Sequence, residues 1–174
     1  IFFKEKMINT SNTISLPSNL IHRTLHGRML LLMFLLLGAL IGITWLMVYI
    51  MVSSILEEYI GRNALNVSKA VSLTTVVQEG LKNNNSSKIQ MYAESVRKAT
   101  GARFVVVGDH EGRRYSHPVP ERIGKFMVGG DNPRALEKGE AYVSKAVGTL
   151  GPSMRGKVPI FDDAGKVIGV VSVG

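Results

Sequence analysis

Met29 to Val52 reads MLLLMFLLLGALIGITWLMVYIMV, a run without one charged residue. A helix needs roughly 20 such residues to cross the hydrocarbon core of a bilayer. Trp45 and Tyr49 stand near its far end, where interfacial aromatics collect. The run exceeds the apolar stretch of a signal peptide, and no A-x-A-like cleavage site follows it. Arg23 and Arg28 precede it, and Glu57 and Glu58 follow. The positive-inside rule then places the residues before it in the cytoplasm and those after it outside. The expected division is a cytoplasmic tail at 1–28, read as short and flexible, a transmembrane helix at 29–52 and an extracytoplasmic domain at 53–174.

The chain of 174 residues starts at Ile1 and stops at Gly174 inside an apparent strand, so a fragment of a longer protein is expected. It has no cysteine, which removes disulfides and thiolate metal sites. The net charge is +8, but the basic residues are scattered, without the stripe or reading motif of a nucleic-acid binder. A metal-ligand cluster, a Ser-His-acid arrangement and a phosphate loop are all missing. The nearest phosphate-loop match, Gly151 to Lys157, is followed by Val158 rather than Ser or Thr, and by a strand pattern rather than a helix.

After the apolar run, Ser53 to Leu81 reads as helix with Gly80 as its stop. Its apolar stripe serves either a second copy of the chain or its own domain. Lys82 to Ser87 is a polar link, and Ser86 or Ser87 caps a helix through Thr100, with Gly101 in the C′ place. The period then changes to that of strands. Arg103 to Val107, Arg113 to Ser116, Ala141 to Val147, Met154 to Phe161 and Lys166 to Val173 are strand candidates. Pro118 and Pro120 end the second. Asn132 and Pro133 open a short helix through Lys138, stopped by Gly139. Helices first and a meander after them predict an α+β domain, with antiparallel strands packed on helices.

The stretch Gly148 to Lys157 (GTLGPSMRGK) carries the chemistry. Residues i and i+2 of a strand point to one face, so Arg155 and Lys157 aim at one spot. Gly148 and Gly151 permit a tight bend, whose N–H groups at Leu150 and Gly151 form a small anion nest. Thr149 adds a hydroxyl donor. Arg114 and His117 form a second cationic pair upstream. Such a set suits a small polycarboxylate. Its charge-assisted hydrogen bonds contribute roughly 1.5–3 kcal/mol each, against about 8 kcal/mol for micromolar binding. A bare R-x-K also describes two solvated charges on an edge strand. Asp131 reads as a brace of its glycine bend, and Met127 and Met154 as packing residues.

Arg114-Tyr115-Ser116-His117-Pro118, Ile123-Gly124-Lys125, Gly129-Gly130-Asp131, Gly148 to Lys157 and Val167 to Gly174 together give the chain a family resemblance. It resembles the extracytoplasmic sensor domain of the citrate and C4-dicarboxylate family of bacterial sensor histidine kinases. The match is close over Ala102 to Gly174 and loose over the membrane helix. The fold it implies is PAS-like, a five-stranded antiparallel sheet flanked by helices. The arginine and histidine of the family's R-x-x-H pattern contact ligand carboxylates, a role that carries to Arg114 and His117. The citrate branch has a small hydroxyl residue before LG and then RGK, which carries ligand contacts to Thr149, Arg155 and Lys157. The hydroxyl of the final strand carries to Ser172. C4-dicarboxylate sensors often place an aromatic where Lys157 stands, and a lysine suits a third carboxylate. Val106 departs from the threonine that citrate sensors can carry in the first strand.

The resemblance further implies a second membrane helix after the last strand, then a cytoplasmic PAS domain and a kinase core. ATP and Mg belong to that missing part, and no cofactor or catalytic residue is expected in this chain. A homodimer and a response regulator, the latter reached through the kinase, are the implied partners. Ligand would draw the sheet and loops together and shift the helix after the last strand. The same fold feeding a chemoreceptor, and a basic anchored domain without ligand specificity, are the competing readings.

Overall fold

The computed structural model describes residues 18–174, which divide into two compact units at Met51/Val52. In the first unit, the helix α1 (Ser18–Ser72) carries the apolar run. Phe34, Leu36, Trp45 and Met47 are all exposed, and the run has a mean hydropathy of 2.5 with none of it buried. A helix apolar on every side finds its solvent in lipid. Its one hydroxyl in the centre, Thr44, donates to the Ile41 carbonyl at 2.8 Å and so stays within the helix. The residues expected as flexible tail are helical from Ser18 onward. Once a helix is nucleated, each added residue gains a hydrogen bond at little cost. Residues 1–17 lie outside the described part.

The second unit begins on the later turns of α1. The expected single helix to Leu81 is broken at Leu73 and Thr74, where Thr74 takes an extended conformation (φ −79°, ψ 129°), and α2 (Thr75–Lys82) follows. Gly80 does not stop a helix. It lies inside α2, where a Cβ would overlap the Ile89 side chain of α3 (Ser86–Thr100), so it is a contact point between the two helices. Asn85, rather than a serine, caps α3 by accepting from the Lys88 N–H at 3.0 Å. Gly101 takes the left-handed conformation expected of a C′ residue (φ 69°).

Four strands form one antiparallel sheet: β1 (Val105–Asp109), β2 (Tyr142–Gly148), β3 (Gly151–Phe161) and β4 (Val167–Val173), in the spatial order β1-β4-β3-β2. The fifth expected strand, Arg113 to Ser116, makes only isolated bridges, Gly108 to Arg114 and Arg113 to Phe126. Its backbone meets β1 at a few points, among them the Tyr115 N–H donating to the Val107 carbonyl at 2.8 Å and the Asp109 N–H donating to the Arg113 carbonyl at 3.0 Å, and a side chain adds to them. The Ser116 hydroxyl accepts from the Val107 N–H at 2.8 Å and lies 3.2 Å from the Val105 carbonyl. The short helix α4 (Pro133–Leu136) opens at Asn132 as expected, yet the Asn132 side chain does not cap it.

Alternation sorts the sheet into two faces. Val105, Val107, Val171, Val173 and Ile160 are buried with Val71, Val77, Ile89 and Ala93 of the helices. The opposite face carries Val106, Ser172 and Lys157 side by side across β1, β4 and β3. That face holds the candidate site.

Candidate functional site

The hairpin between β2 and β3 is tighter than the sequence suggests. Gly148 pairs with Gly151, leaving only Thr149 and Leu150 in the turn. Gly151 takes φ 92°, a conformation that costs glycine little. A Cβ at Gly148 would overlap the Arg155 guanidinium, so glycine there makes room for the cation. Arg155 is held by Ser153 Oγ (2.9 Å from Nε) and the Ala146 carbonyl (3.1 Å from Nη2). The Phe104 ring lies 5.9 Å from its guanidinium carbon.

The helix α3 positions His117 of the second cationic pair. Gln90 clamps the His117 backbone, accepting from its N–H at 2.9 Å and donating to its carbonyl at 3.0 Å. The His117 ring reaches Thr149, with Nε2 3.1 Å from Oγ1. Nδ1 lies 3.0 Å from the Val119 N–H and 3.1 Å from the Val119 carbonyl, so which of the two it pairs with depends on the tautomer. Sequence reading missed Gln90, since a lone glutamine on a helix has no motif.

Arg114, His117, Thr149, Leu150, Gly151, Arg155 and Ser172 line one cavity together with Phe104, Val106, Met127 and Gly148. Its volume is about 30 Å³, room for a water-sized molecule. Met127, read as packing, is part of the lining. Lys157 is the exception among the expected residues. Arg155 and Lys157 do converge, as the i, i+2 spacing requires, but their shared point is an internal carboxylate. Asp131 Oδ1 lies 3.2 Å from Lys157 Nζ and 3.5 Å from Arg155 Nη1. Lys157 also donates to the Asn132 side chain. Asn132 thus gives its side chain to Lys157 instead of capping α4, and Asp131 pairs with the two cations. The Gly-Gly-Asp-Asn sequence was the available signal.

The buried charges around the cavity are mostly cationic. Arg114 is only 4% exposed. Among the described residues it pairs with no carboxylate, and its guanidinium has the Lys125 carbonyl at 3.5 Å. Burial, and then the neighbouring Arg122, push its pKa down. His117 is held below the ordinary histidine value by burial and by Arg114, outweighing the Val119 contact. Burial pushes the Lys157 ammonium down, and Asp131 partly offsets this. Burial alone would raise the Asp131 carboxyl, but Ser144, Lys157 and Arg155 hold it below the usual carboxylate value. Arg114, Arg155 and Lys157 are thus three buried cations, of which the last two share the partly buried Asp131, and an added anion would relieve the imbalance.

Known proteins share this architecture. The chain is 59% identical over 120 residues to the sensor protein CitS of Halalkalibacterium halodurans, covering 68% of this chain and 22% of that protein. It is 40% identical over 119 residues to the sensor histidine kinase CitA of Klebsiella pneumoniae, covering 68% and 22%. The chain therefore spans about a fifth of the length of these curated relatives. The crystal structure of the Escherichia coli DcuS sensor domain superposes with a TM-score of 0.64 at 36% identity, covering 68% of this chain and 89% of that one. Residues 51–174 match the single cache domain 3 family, and the chain belongs to it.

Proposed function

We infer that residues 53–174 form the extracytoplasmic input domain of a two-component sensor histidine kinase, and that the cavity takes a small di- or tricarboxylate, citrate first among them. The observation that carries this reading is Arg114, a buried guanidinium on the cavity wall that has no carboxylate partner among the described residues. An ion taken out of water needs compensation, and a ligand carboxylate supplies it bidentately. Arg155, His117 and Thr149 line the same cavity, and Ser172 adds a hydroxyl. The burial of these cations argues against a merely basic, surface-adhering domain. The apolar helix anchors the domain in the membrane, and the relatives' names support a kinase as the output. ATP, Mg and the response regulator belong to that kinase, and homodimerisation is part of the same reading.

Calorimetric titration of the 174-residue chain in detergent with citrate, isocitrate, malate, succinate and fumarate tests this. Citrate binding that Arg155→Ala and Lys157→Ala both abolish is the expected result. Preference for a C4 acid, with Lys157→Ala harmless, would move the domain to the dicarboxylate side. Silence from all five acids, with the chain shown to be folded, would sink the proposal.

The same titration has a pH dependence whose sign is fixed. Without ligand, His117 sits below its ordinary value, so it is neutral at pH 7. A carboxylate beside Nε2 favours the imidazolium and raises the pKa, so binding takes up a proton. Affinity therefore rises as pH falls through the bound-state pKa and levels off below the lower, free-state value. Measured against His117→Gln, so that ligand ionisation cancels, the parent should gain affinity from about pH 8 to pH 6. A flat ratio would exclude His117 as the titrating group.

A further inference from the structure

The cation a third carboxylate would need is turned away from the cavity. Lys157 is 1% exposed, is not part of the cavity lining, and gives its ammonium to Asp131 and Asn132. Asp131 is well placed to keep it. The second carboxylate oxygen, Oδ2, accepts from Ser144 Oγ at 2.7 Å, and the Asp131 carbonyl accepts from the Tyr142 hydroxyl. Gly129 and Gly130 deliver it with φ of 132° and 68°, where other residues are strained. A Cβ at Gly129 would stand 2.7 Å from Arg155 Nη1 and 2.8 Å from Asp131 Oδ1. The carboxylate reaches Arg155 because residue 129 has no side chain.

We propose that Asp131 is an internal counter-anion that competes with a tricarboxylate for Lys157, and so sets how strongly the site prefers three carboxylates to two. This rests on the carboxylate reading of the cavity. A ligand carboxylate added beside Asp131 would put two like charges on one ammonium, which is unfavourable. The third carboxylate binds when Lys157 leaves Asp131 and turns into the cavity. The Gly129-Gly130 turn then carries the released Asp131 outward. A dicarboxylate held by Arg114, His117, Thr149 and Arg155 leaves the Lys157–Asp131 pair intact. The apparent affinity for a tricarboxylate is therefore reduced by the fraction of molecules in which Asp131 holds the lysine.

Asp131→Asn removes the charge and keeps the shape. With the pair about 90% closed in the parent, the variant binds citrate roughly tenfold more tightly, and succinate within about twofold. Ser144→Ala, which loosens Asp131 without touching the cavity, shifts citrate in the same direction by less. It carries the test if Asp131→Asn does not fold. In the parent, the Gly129 and Gly130 amide resonances move with citrate and stay with succinate. Citrate affinity unchanged or weakened in a folded variant would overturn the proposal, making Asp131 a support that orients the cations. If the parent binds neither acid, the carboxylate reading fails and this proposal falls with it. If the parent binds citrate and the variant binds it no better, only the competition fails.

Discussion

An Arg114→Met chain is expected to melt above the parent without ligand and below it with citrate. The reason is the same in both halves. Arg114 is buried, lies by Arg122, and has no acidic partner among the described residues. Folding depresses its pKa, so its charge opposes folding at every pH where the guanidinium is protonated. Methionine has a similar reach, no charge and enough flexibility to fill the gap. Relieving such a charge stabilises the fold by about 1 kcal/mol. The same substitution removes the group that pairs a ligand carboxylate, at a cost of about 3 kcal/mol, roughly 150-fold in affinity. Citrate at about 100 times its Kd stabilises the parent by roughly 2.7 kcal/mol, and the variant hardly at all, so the two melting curves cross. Thermal scans of both chains with and without citrate read this directly. A variant that melts lower without ligand would mean that Arg114 is satisfied inside the protein.

This trade of stability for binding also explains which parts of the molecule were legible. The apolar helix and most of the strand alternation follow from local periodicity, whereas β3 starts three residues before the expected Met154 and leaves only two residues in the β2–β3 turn. Arg155 and Lys157 share a face because strand geometry leaves no alternative. What they meet there depends on a segment more than 20 residues away in sequence. Nothing local in Gly129 to Asn132 separates an aspartate bracing its own bend from one paired with buried cations. Gly80 misled for a similar reason. A glycine near the end of a helical pattern resembles a stop, whereas its function is set by Ile89 packing against it from the next helix. The missing fifth strand was a question of hydrogen-bond supply. Ser116 meets the needs of Val107 with its hydroxyl, and that choice has no sequence period.

A Gly156→Val chain should lose the close approach of α1 to the sheet, and much of the domain's stability with it. Gly156 lies between Arg155 and Lys157 and faces the other way, toward the helices. A Cβ there would overlap the Leu65 nitrogen and the Ala64 carbonyl, which are backbone atoms and cannot rotate aside. The approach is tight enough for Ser68 Oγ to lie 2.8 Å from the Gly156 carbonyl and 2.8 Å from that of Ala64. Gly61 repeats the device one turn earlier, against Val143. A valine must lift the helix, breaking the Ser68 contact and loosening Val71 in the core. The overpacking and the lost hydrogen bond together cost about 3 kcal/mol, roughly a 10 °C fall in Tm. Ser68→Ala isolates the hydrogen bond, at about 1 kcal/mol, and should leave citrate affinity unchanged. Gly156→Val should weaken binding as well, because the strand that must shift carries Arg155 and Lys157 on its opposite face. If Gly156→Val melts with the parent, α1 does not rest on β3 at this point. If it melts lower yet binds citrate as the parent does, the cations are positioned independently of the helix behind them.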